Sequence, residues 1–296
     1  ASISLNIYLK DGLSERSINT ESSRDLSNGD EINILKICPN NYANIIGISC
    51  IVDTRNPKKY VLIGDSKSNA LIEGIIDTSS TNYWFLLGGD SKNGFPAPFI
   101  SDNERFKKIQ KIIVPSIEAI SKDESIEIVA MAFALRNYAE INNDYSWDKA
   151  HEARGYVESE IALKNTIEQL INHNKKILII LDNPPMGKAF YCDERNIKFF
   201  SKYTFNTKNK FQKNCKINLE DYYLYRSKYI KSINNISLQY PNKVYVFDTT
   251  KYFCDVKKEY CERKFNGINV FSYSDHISYE IAKKIGLDLN LFIKNF

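Results

Sequence analysis

The chain has 296 residues, 43% hydrophobic and 12% aromatic, which excludes a disordered, collagen-like or coiled-coil structure for most of it. Its net charge is only +4, from 40 Lys and Arg residues against 36 Asp and Glu residues. This small, dispersed excess argues against nucleic acid or an anionic membrane as a partner. We expect no membrane span, because no apolar run reaches about 18 residues, and no signal peptide at Ala1–Ile3.

Residues 1–58 are polar and are predicted to be a linker or extension that packs on a domain formed by residues 59–296. From residue 60 onward, short apolar runs alternate with helical patterns. The runs predict strands at 60–63, 83–87, 126–133, 177–181 and 243–247. Helical periodicity predicts helices at 67–76, 102–121, 152–173, 220–238 and 278–292, with a loop over 183–219. Pro115 is expected to kink or split the second helix.

This alternation predicts the fold class. Short, fully apolar strands between helices are typical of βαβ units in a parallel sheet that is covered on both faces. We therefore expect an α/β protein: a three-layer αβα sandwich around a five-stranded parallel sheet.

Cysteine spacing bears on the compartment. No Cys-x-x-Cys motif occurs and there are only three His residues, so a zinc site is disfavoured and no metal is predicted. Sequential pairing as Cys38–Cys50, Cys192–Cys215 and Cys254–Cys261 would close three short loops, although other connectivities are open. Six buried thiols in a cytosolic protein are the alternative. We favour disulfides and an oxidising compartment.

Ligands of parallel sheets bind at the carboxyl ends of the strands. The first strand is followed by Gly64, Asp65, Ser66 and Lys67. Ser66 would lie at the N-terminus of the next helix, where free backbone amides could hold an oxyanion. Asp65 could accept backbone N–H bonds in the turn, and Lys67 is expected to be a solvated first-turn residue or to touch an anionic sugar.

The next two strands end in further candidates. Gly88 and Gly89 follow the second strand and would let a backbone N–H approach a ligand closely. Arg136 and Asn137 follow the third. A second Gly-Asp-Ser ends at Ser91, which we interpret as a loop residue because no helical pattern follows it.

A serine nucleophile needs a base, most simply a histidine. His151 begins a charged helix and is interpreted as a surface residue. His173 lies at a helix end, where the helix dipole accounts for it. His276 lies between the last strand and the last helix, so it is the histidine placed to reach Ser66. A helix-capping segment with an incidental histidine is the alternative.

Gly64-Asp65-Ser66 after an apolar strand, with Asp275-His276 near the C-terminus, resembles the first and last sequence blocks of the GDSL/SGNH hydrolase superfamily. The motifs "GLSER", "VLIGDS", "KKILIILDNPP" and "FNGINVFSYSDHIS", together with the Cys38/Cys50 pair, resemble in order the extracytoplasmic SGNH domain fused to membrane acyltransferase-three proteins. The resemblance covers nearly the whole chain and implies a flavodoxin-like sheet.

The resemblance also implies residue roles. Ser66 matches the nucleophile and His276 the base, while Gly89 or Gly88 matches the second block, which helps to form the oxyanion hole together with the Ser66 N–H. The polar donor of the third block is missing or is replaced by Asn137 or Arg136.

Two further positions depart from the family pattern. Lys67 stands where a histidine is common. Tyr273 occupies the usual position of the orienting aspartate, three residues before the catalytic histidine. Asp275 is therefore the candidate orienter, with a backbone carbonyl as the alternative.

The implied function is O-acylation, most simply O-acetylation, of a bacterial surface polysaccharide such as lipopolysaccharide through a Ser66 acyl-enzyme. No bound cofactor is expected, since the acetyl group would come from a partner or an N-terminal transmembrane acyltransferase domain. The implied location is extracytoplasmic (periplasmic or cell-surface), with the full-length protein tethered to the membrane. Alternatives are a carbohydrate O-acetylesterase and a catalytically silent glycan-binding domain.

Overall fold

The centre of the molecule is a seven-stranded sheet with the order β1–β2–β4–β3–β5–β6–β7. The computed structural model describes residues 34–35, 38–55, 59–79, 84–89, 97–141, 147–185, 216–265, 267–273 and 275–296. The strands of the sheet are β1 (Ile34–Leu35), β2 (Ile48–Asp53), β3 (Tyr60–Gly64), β4 (Trp84–Gly89), β5 (Ile128–Ala132), β6 (Lys176–Ile180) and β7 (Val244–Phe247).

The five predicted strands are confirmed as the parallel part of this sheet. Strands β4, β3, β5, β6 and β7 pair in parallel. Strand β2 adds to the outer edge of β4 in the antiparallel direction, and β1 pairs with β2. Both extra strands lie within residues 1–58, the stretch predicted to be an extension, and they lengthen the sheet.

Helices cover the sheet in two groups. They are α1 (Ser66–Thr78), α2 (Lys107–Lys122), α3 (Leu135–Ala139), α4 (Tyr156–Ile171), α5 (Leu219–Gln239) and α6 (Tyr279–Ile293). Helices α1 and α6 pack together, while α4 packs against α2 and α5. Every residue of β5 is buried, as expected for a strand with helices on both faces. The α/β fold class is thus confirmed.

Helix α2 differs from its prediction. It begins at Lys107 rather than near residue 102, and it continues through Pro115 to Lys122. The expected split at Pro115 is therefore wrong. Burial of Ile113 and Ile117 on either side of the proline holds the two halves of the helix on the same core, and this packing can offset the hydrogen bond that proline removes.

Two of the three predicted disulfides are confirmed. Cys38 is bonded to Cys50 in β2, and Cys254 is bonded to Cys261 across a small antiparallel ribbon. The third predicted pair, Cys192–Cys215, lies outside the described residues.

Close packing of two glycines fixes α1 against α6. A Cβ atom at Gly74 in α1 would lie 2.3 Å from the carbonyl carbon of Ala282, and one at Gly286 in α6 would lie 2.6 Å from the Gly74 oxygen. Hydrogen atoms at these positions let the two backbones approach. Since Ser66 begins α1 and His276 precedes α6, this contact sets the spacing of the elements that carry both residues.

Candidate active site

Ser66 is the first residue of α1, at the carboxyl end of β3, and its side chain is half-buried. Asp65 caps the helix: its carboxylate accepts the Lys67 N–H at 3.0 Å, and its backbone carbonyl accepts the Ser68 N–H at 3.0 Å. The predicted turn role of Asp65 is therefore confirmed. Asp65 binds these first-turn amides but not that of Ser66, so the Ser66 N–H is available for a ligand at the positive end of the helix dipole.

The predicted glycines lie at the same edge of the sheet. Ile63 pairs with Leu87, so Gly88 follows at the level of Gly64 and Gly89 beyond it. Gly88 and Gly89 are also paired with β2, opposite Ser49 and Ile48. The backbone of this pair therefore lies beside the turn that presents Ser66.

Lys67 is not a solvated residue, which corrects the sequence-based expectation. Its side chain is 6% exposed, and its ammonium lies 3.0 Å from Asp182 Oδ1 and 3.1 Å from Asp275 Oδ2. It also donates hydrogen bonds to Asn183 Oδ1 at 3.0 Å and to the Asp275 carbonyl at 2.9 Å. A buried ammonium needs such partners, and with all of them engaged Lys67 is not placed to bind a sugar.

The charges in this cluster depend on one another. Burial is the largest influence on Lys67 and disfavours its charge, but Asp182 and Asp275 outweigh it and raise the pKa of Lys67. Burial also disfavours a charged Asp275, but Lys67 and Arg136 outweigh it and lower the pKa of Asp275. Burial dominates at Asp182 and raises its pKa. At neutral pH, Lys67 and Asp275 therefore form a charged pair.

His276 lies at this cluster and next to α1. Residues His276–Ile277 form a short strand that packs against α1, and the preceding residue, Asp275, is bonded to Lys67. The Nδ1 atom of His276 lies 3.5 Å from Asp275 Oδ1. Asp275 Oδ2 thus contacts Lys67, while Asp275 Oδ1 lies near the imidazole without a hydrogen bond to it.

The hydroxyl of Ser66 and the imidazole of His276 are not hydrogen bonded to each other in the structure. Their neighbours in the sequence, Lys67 and Asp275, are in direct contact, so the backbone segments that carry the two side chains lie close together. Catalytic hydrogen bonds are often long without a substrate and shorten only in the reacting complex.

Asn137 and Arg136 also reach the cluster, from the loop and helix after β5. The Asn137 amide donates to Asp65 Oδ2 at 2.5 Å, beside Ser66, which engages one of its two N–H groups. The Arg136 guanidinium lies 3.5 Å from Asp275 Oδ2. The two candidates for the third-block donor are thus divided, Asn137 on the Ser66 side and Arg136 on the Asp275 side.

Asp182 and Asn183 are site residues that sequence reasoning missed. Asp182 follows β6 and also accepts the Leu135 N–H at 2.8 Å, while the Asn183 amide donates to the Asp275 carbonyl at 3.1 Å. The signal was present, because polar residues directly after a fully apolar strand fall at the ligand-binding edge.

The other residues considered in the sequence analysis lie away from this cluster or outside the described residues. His173 is exposed at the end of α4, with Nδ1 2.9 Å from the Gln169 carbonyl, and His151 pairs loosely with Glu152 at 3.8 Å. Ser91 lies outside the described residues. In the described part of the chain, no group of three or more His, Cys, Asp or Glu side chains is arranged to hold a metal ion.

A serine at a helix N-terminus and a histidine on a short strand before the last helix thus lie near the carboxyl edge of a parallel sheet. Comparison with family models assigns the chain to a family. The chain belongs to the family described as the SGNH domain fused to AT3 domains, whose model matches residues 37–289. A search of the curated proteins finds no match. No helix among the described residues is long and apolar enough to cross a bilayer.

Solved structures with distant similarity include three from bacteria. A Bacteroides fragilis protein described as an acylhydrolase is 12% identical, with 92% of this chain and 99% of that one covered and a TM-score of 0.40. A catalytic mutant of an acetylxylan esterase from Geobacillus stearothermophilus is 12% identical, with 79% and 94% covered and a TM-score of 0.42. A GDSL-like lipase from Bacteroides thetaiotaomicron is 10% identical, with 80% and 86% covered and a TM-score of 0.35.

Burial of His276 leads to a prediction about pH. Burial lowers the pKa of His276; Asp275 and Asp182 oppose this effect, while Lys67 and Arg136 add to it. A general base works when it is neutral, so a lowered pKa extends activity to more acidic conditions. We expect the acid limb of kcat/KM for an acetyl ester to have its midpoint below about 6.5, the ordinary histidine value. A midpoint at or above that value in the pH–rate profile would contradict the assignment.

Proposed function

We propose that this chain is an O-acyltransferase domain that moves an acetyl group onto a hydroxyl of a bacterial surface polysaccharide through a Ser66 acyl-enzyme. The observation that carries the proposal is the bond between the Lys67 ammonium and the Asp275 carbonyl at 2.9 Å. It joins the residue after the serine to the residue before the histidine, which supports a shared site for nucleophile and base. Family membership supports acyl-ester chemistry there.

The first half of the reaction forms the acyl-enzyme. Ser66 Oγ attacks the acyl carbonyl while His276 takes the hydroxyl proton, and Asp275 orients the imidazole and stabilises its charged form. The carbonyl oxygen becomes an oxyanion, which the Ser66 N–H, the Gly88–Gly89 backbone and the second N–H of Asn137 would stabilise. The tetrahedral intermediate then collapses, and the leaving group departs with the proton from His276.

The second half transfers the acetyl group. An acceptor hydroxyl attacks the acyl carbonyl of Ser66, His276 removes the acceptor proton, and the Ser66 oxygen leaves and regains that proton. With a sugar hydroxyl as acceptor the product is an O-acetylated glycan. With water as acceptor the same residues would make the domain a carbohydrate O-acetylesterase.

The family and the cysteines support a proposal for the acetyl donor and the location. Members of this family are described as fused to AT3 domains, which supports an acetyl supply from a membrane acyltransferase partner or an N-terminal transmembrane domain, with no bound cofactor. The disulfides at Cys38–Cys50 and Cys254–Cys261 are typical of an oxidising, extracytoplasmic compartment. We infer that the domain works on the periplasmic or outer side of the membrane.

The acyl-enzyme is the species to test first. The protein is mixed with p-nitrophenyl acetate, quenched in acid and measured by intact-protein mass spectrometry. We expect a gain of one acetyl group, which peptide mapping assigns to Ser66. Acetylation elsewhere, with Ser66 unmodified, would overturn the proposed chemistry.

The acceptor separates transfer from hydrolysis. Surface glycan purified from the producing cells is de-O-acetylated with mild base and added to the same reaction. Acylation should release nitrophenol in a rapid first burst. After the burst, we expect turnover to be faster than without glycan, and acetyl esters to form on the glycan. Turnover unchanged by glycan, with free acetate as the product, would identify an esterase instead.

A further inference from the structure

Lys67 makes more contacts with Asp275 than are needed to neutralise its charge. Its ammonium binds Asp275 twice, through the backbone carbonyl at 2.9 Å and through the carboxylate at 3.1 Å. Contact with the carboxylate alone would neutralise the charge without reaching the backbone of the segment that carries His276. Contact with both groups fixes the backbone and the side chain of Asp275 together.

The same ammonium is anchored on the sheet. Asp182 and Asn183, which follow β6, contact Lys67 at 3.0 Å each, and the Asn183 amide also donates to the Asp275 carbonyl at 3.1 Å. The backbone position of Lys67 is fixed in turn, because its N–H is bonded to the Asp65 cap at 3.0 Å. Lys67 therefore links the turn that bears Ser66, the end of β6 and the loop that bears His276.

We propose that Lys67 is a positioning residue that sets the place of the His276 imidazole relative to Ser66 through its two contacts with Asp275. The proposal rests on the proposed function, since it assigns how the base of that reaction is held. The Asp275 carboxylate, held by Lys67 and flanked by Arg136 at 3.5 Å, has its other oxygen 3.5 Å from His276 Nδ1. Loss of Lys67 would release the loop and let the imidazole move away from the serine.

The first test replaces Lys67 by methionine, which keeps an unbranched side chain as far as Cε and removes the charged ammonium. A displacement of about 1 Å in a catalytic group can cost about 100-fold in rate, so we expect the Lys67→Met variant to lose about 100-fold in kcat for p-nitrophenyl acetate. KM should stay within about 2-fold, because Lys67 does not face the substrate. An unchanged kcat in a folded variant would overturn the proposal.

A double-mutant cycle with Asp275 distinguishes positioning from general damage. If Lys67 acts through Asp275, the loss in kcat of the Lys67→Met/Asp275→Asn double variant should be smaller than the product of the two single losses, because both changes remove the contact between ammonium and carboxylate. If the two residues act independently, the losses in kcat multiply. Multiplied losses would overturn the proposal.

Lys175 provides the matched control. It is also a buried lysine, but it lies at the other edge of the sheet, where its ammonium donates to the carbonyls of Asp123 at 2.7 Å and Ile126 at 2.9 Å. Lys175→Met should lower the melting temperature and leave kcat within about 2-fold of the wild type. If it reduced kcat as much as Lys67→Met, the effect would be structural and the proposal would fail.

A charge-balanced variant covers the case in which Lys67→Met does not fold. In Lys67→Met/Asp182→Asn, a buried ammonium and a buried carboxylate are removed together, and replacing both members of such a pair is tolerated better than removing one. We expect this variant to fold and still to lose about 100-fold in kcat. Recovery of wild-type kcat would mean that Lys67 only neutralises Asp182.

Failure of the positioning role of Lys67 can be distinguished from failure of the proposed function. Acetylation of Ser66 in the wild-type protein tests the chemistry without reference to Lys67. If Ser66 is acetylated and the Lys67 variants behave like the wild type, only the positioning role is wrong. If Ser66 is not acetylated at all, the proposed function itself is wrong.

Discussion

Replacement of Ser66 by alanine is expected to lower the turnover of p-nitrophenyl acetate by at least about 10³-fold, because the covalent route is then closed. What remains would come from binding and from the oxyanion donors, which do not need the hydroxyl. The measurement is kcat from nitrophenol release, with the mass spectrum showing whether any acetyl group still joins the protein.

Ser125 offers a matched control for this change. It lies at the opposite edge of the sheet, where its hydroxyl donates to Asp123 Oδ1 at 2.6 Å. Ser125→Ala should leave kcat within about 2-fold of the wild type and remove no acetylation. Equal turnover by the wild type and Ser66→Ala would exclude the Ser66 acyl-enzyme. If both rates matched that of buffer alone, a catalytically silent glycan-binding domain would be the better description.

The parallel sheet could be predicted because strands that are buried on both faces appear in the sequence as short apolar runs. Runs such as 128–132 and 176–180 are apolar at nearly every position, and the structure buries them. Strand β2 leaves a weaker trace, because three of its six positions are fully buried and the rest are half-buried. Its place in the sheet depends on antiparallel pairing with β4, which local composition does not specify.

The serine and histidine of the candidate site are predictions from the sequence, because topology and family motifs point to the same edge of the sheet. The burial of Lys67 could not be predicted from the sequence. Lysine is among the residues least often buried unless paired, and its partners are remote: Asn183 is 116 positions away and the Asp275 carbonyl is 208 positions away. A first-turn lysine with no visible partner in the sequence is reasonably expected to be solvated, and only the three-dimensional contacts reverse that expectation.

Replacement of Gly64 by alanine is expected to have the largest effect on stability. Gly64 ends β3 with φ at +150°, and a Cβ atom there would lie 1.8 Å from the Ala132 carbonyl oxygen. That oxygen belongs to the backbone of β5 and has little room to move. Overpacking and an unfavourable φ together should cost roughly 3–5 kcal/mol in the free energy of unfolding, measured by urea denaturation with the disulfides intact.

A control substitution at Gly267 distinguishes the effect of overpacking from the effect of an unfavourable φ. It also has a positive φ, +79°, but a Cβ atom there would meet nothing within 4 Å. Gly267→Ala should therefore cost only the backbone strain, about 1–2 kcal/mol. Equal losses at both positions would mean that the approach of β3 to β5 is looser than the structure has it. Because Gly64 leads directly into Asp65 and Ser66, we also expect any folded Gly64→Ala protein to lose acetyl-ester turnover, whereas Gly267→Ala should keep it.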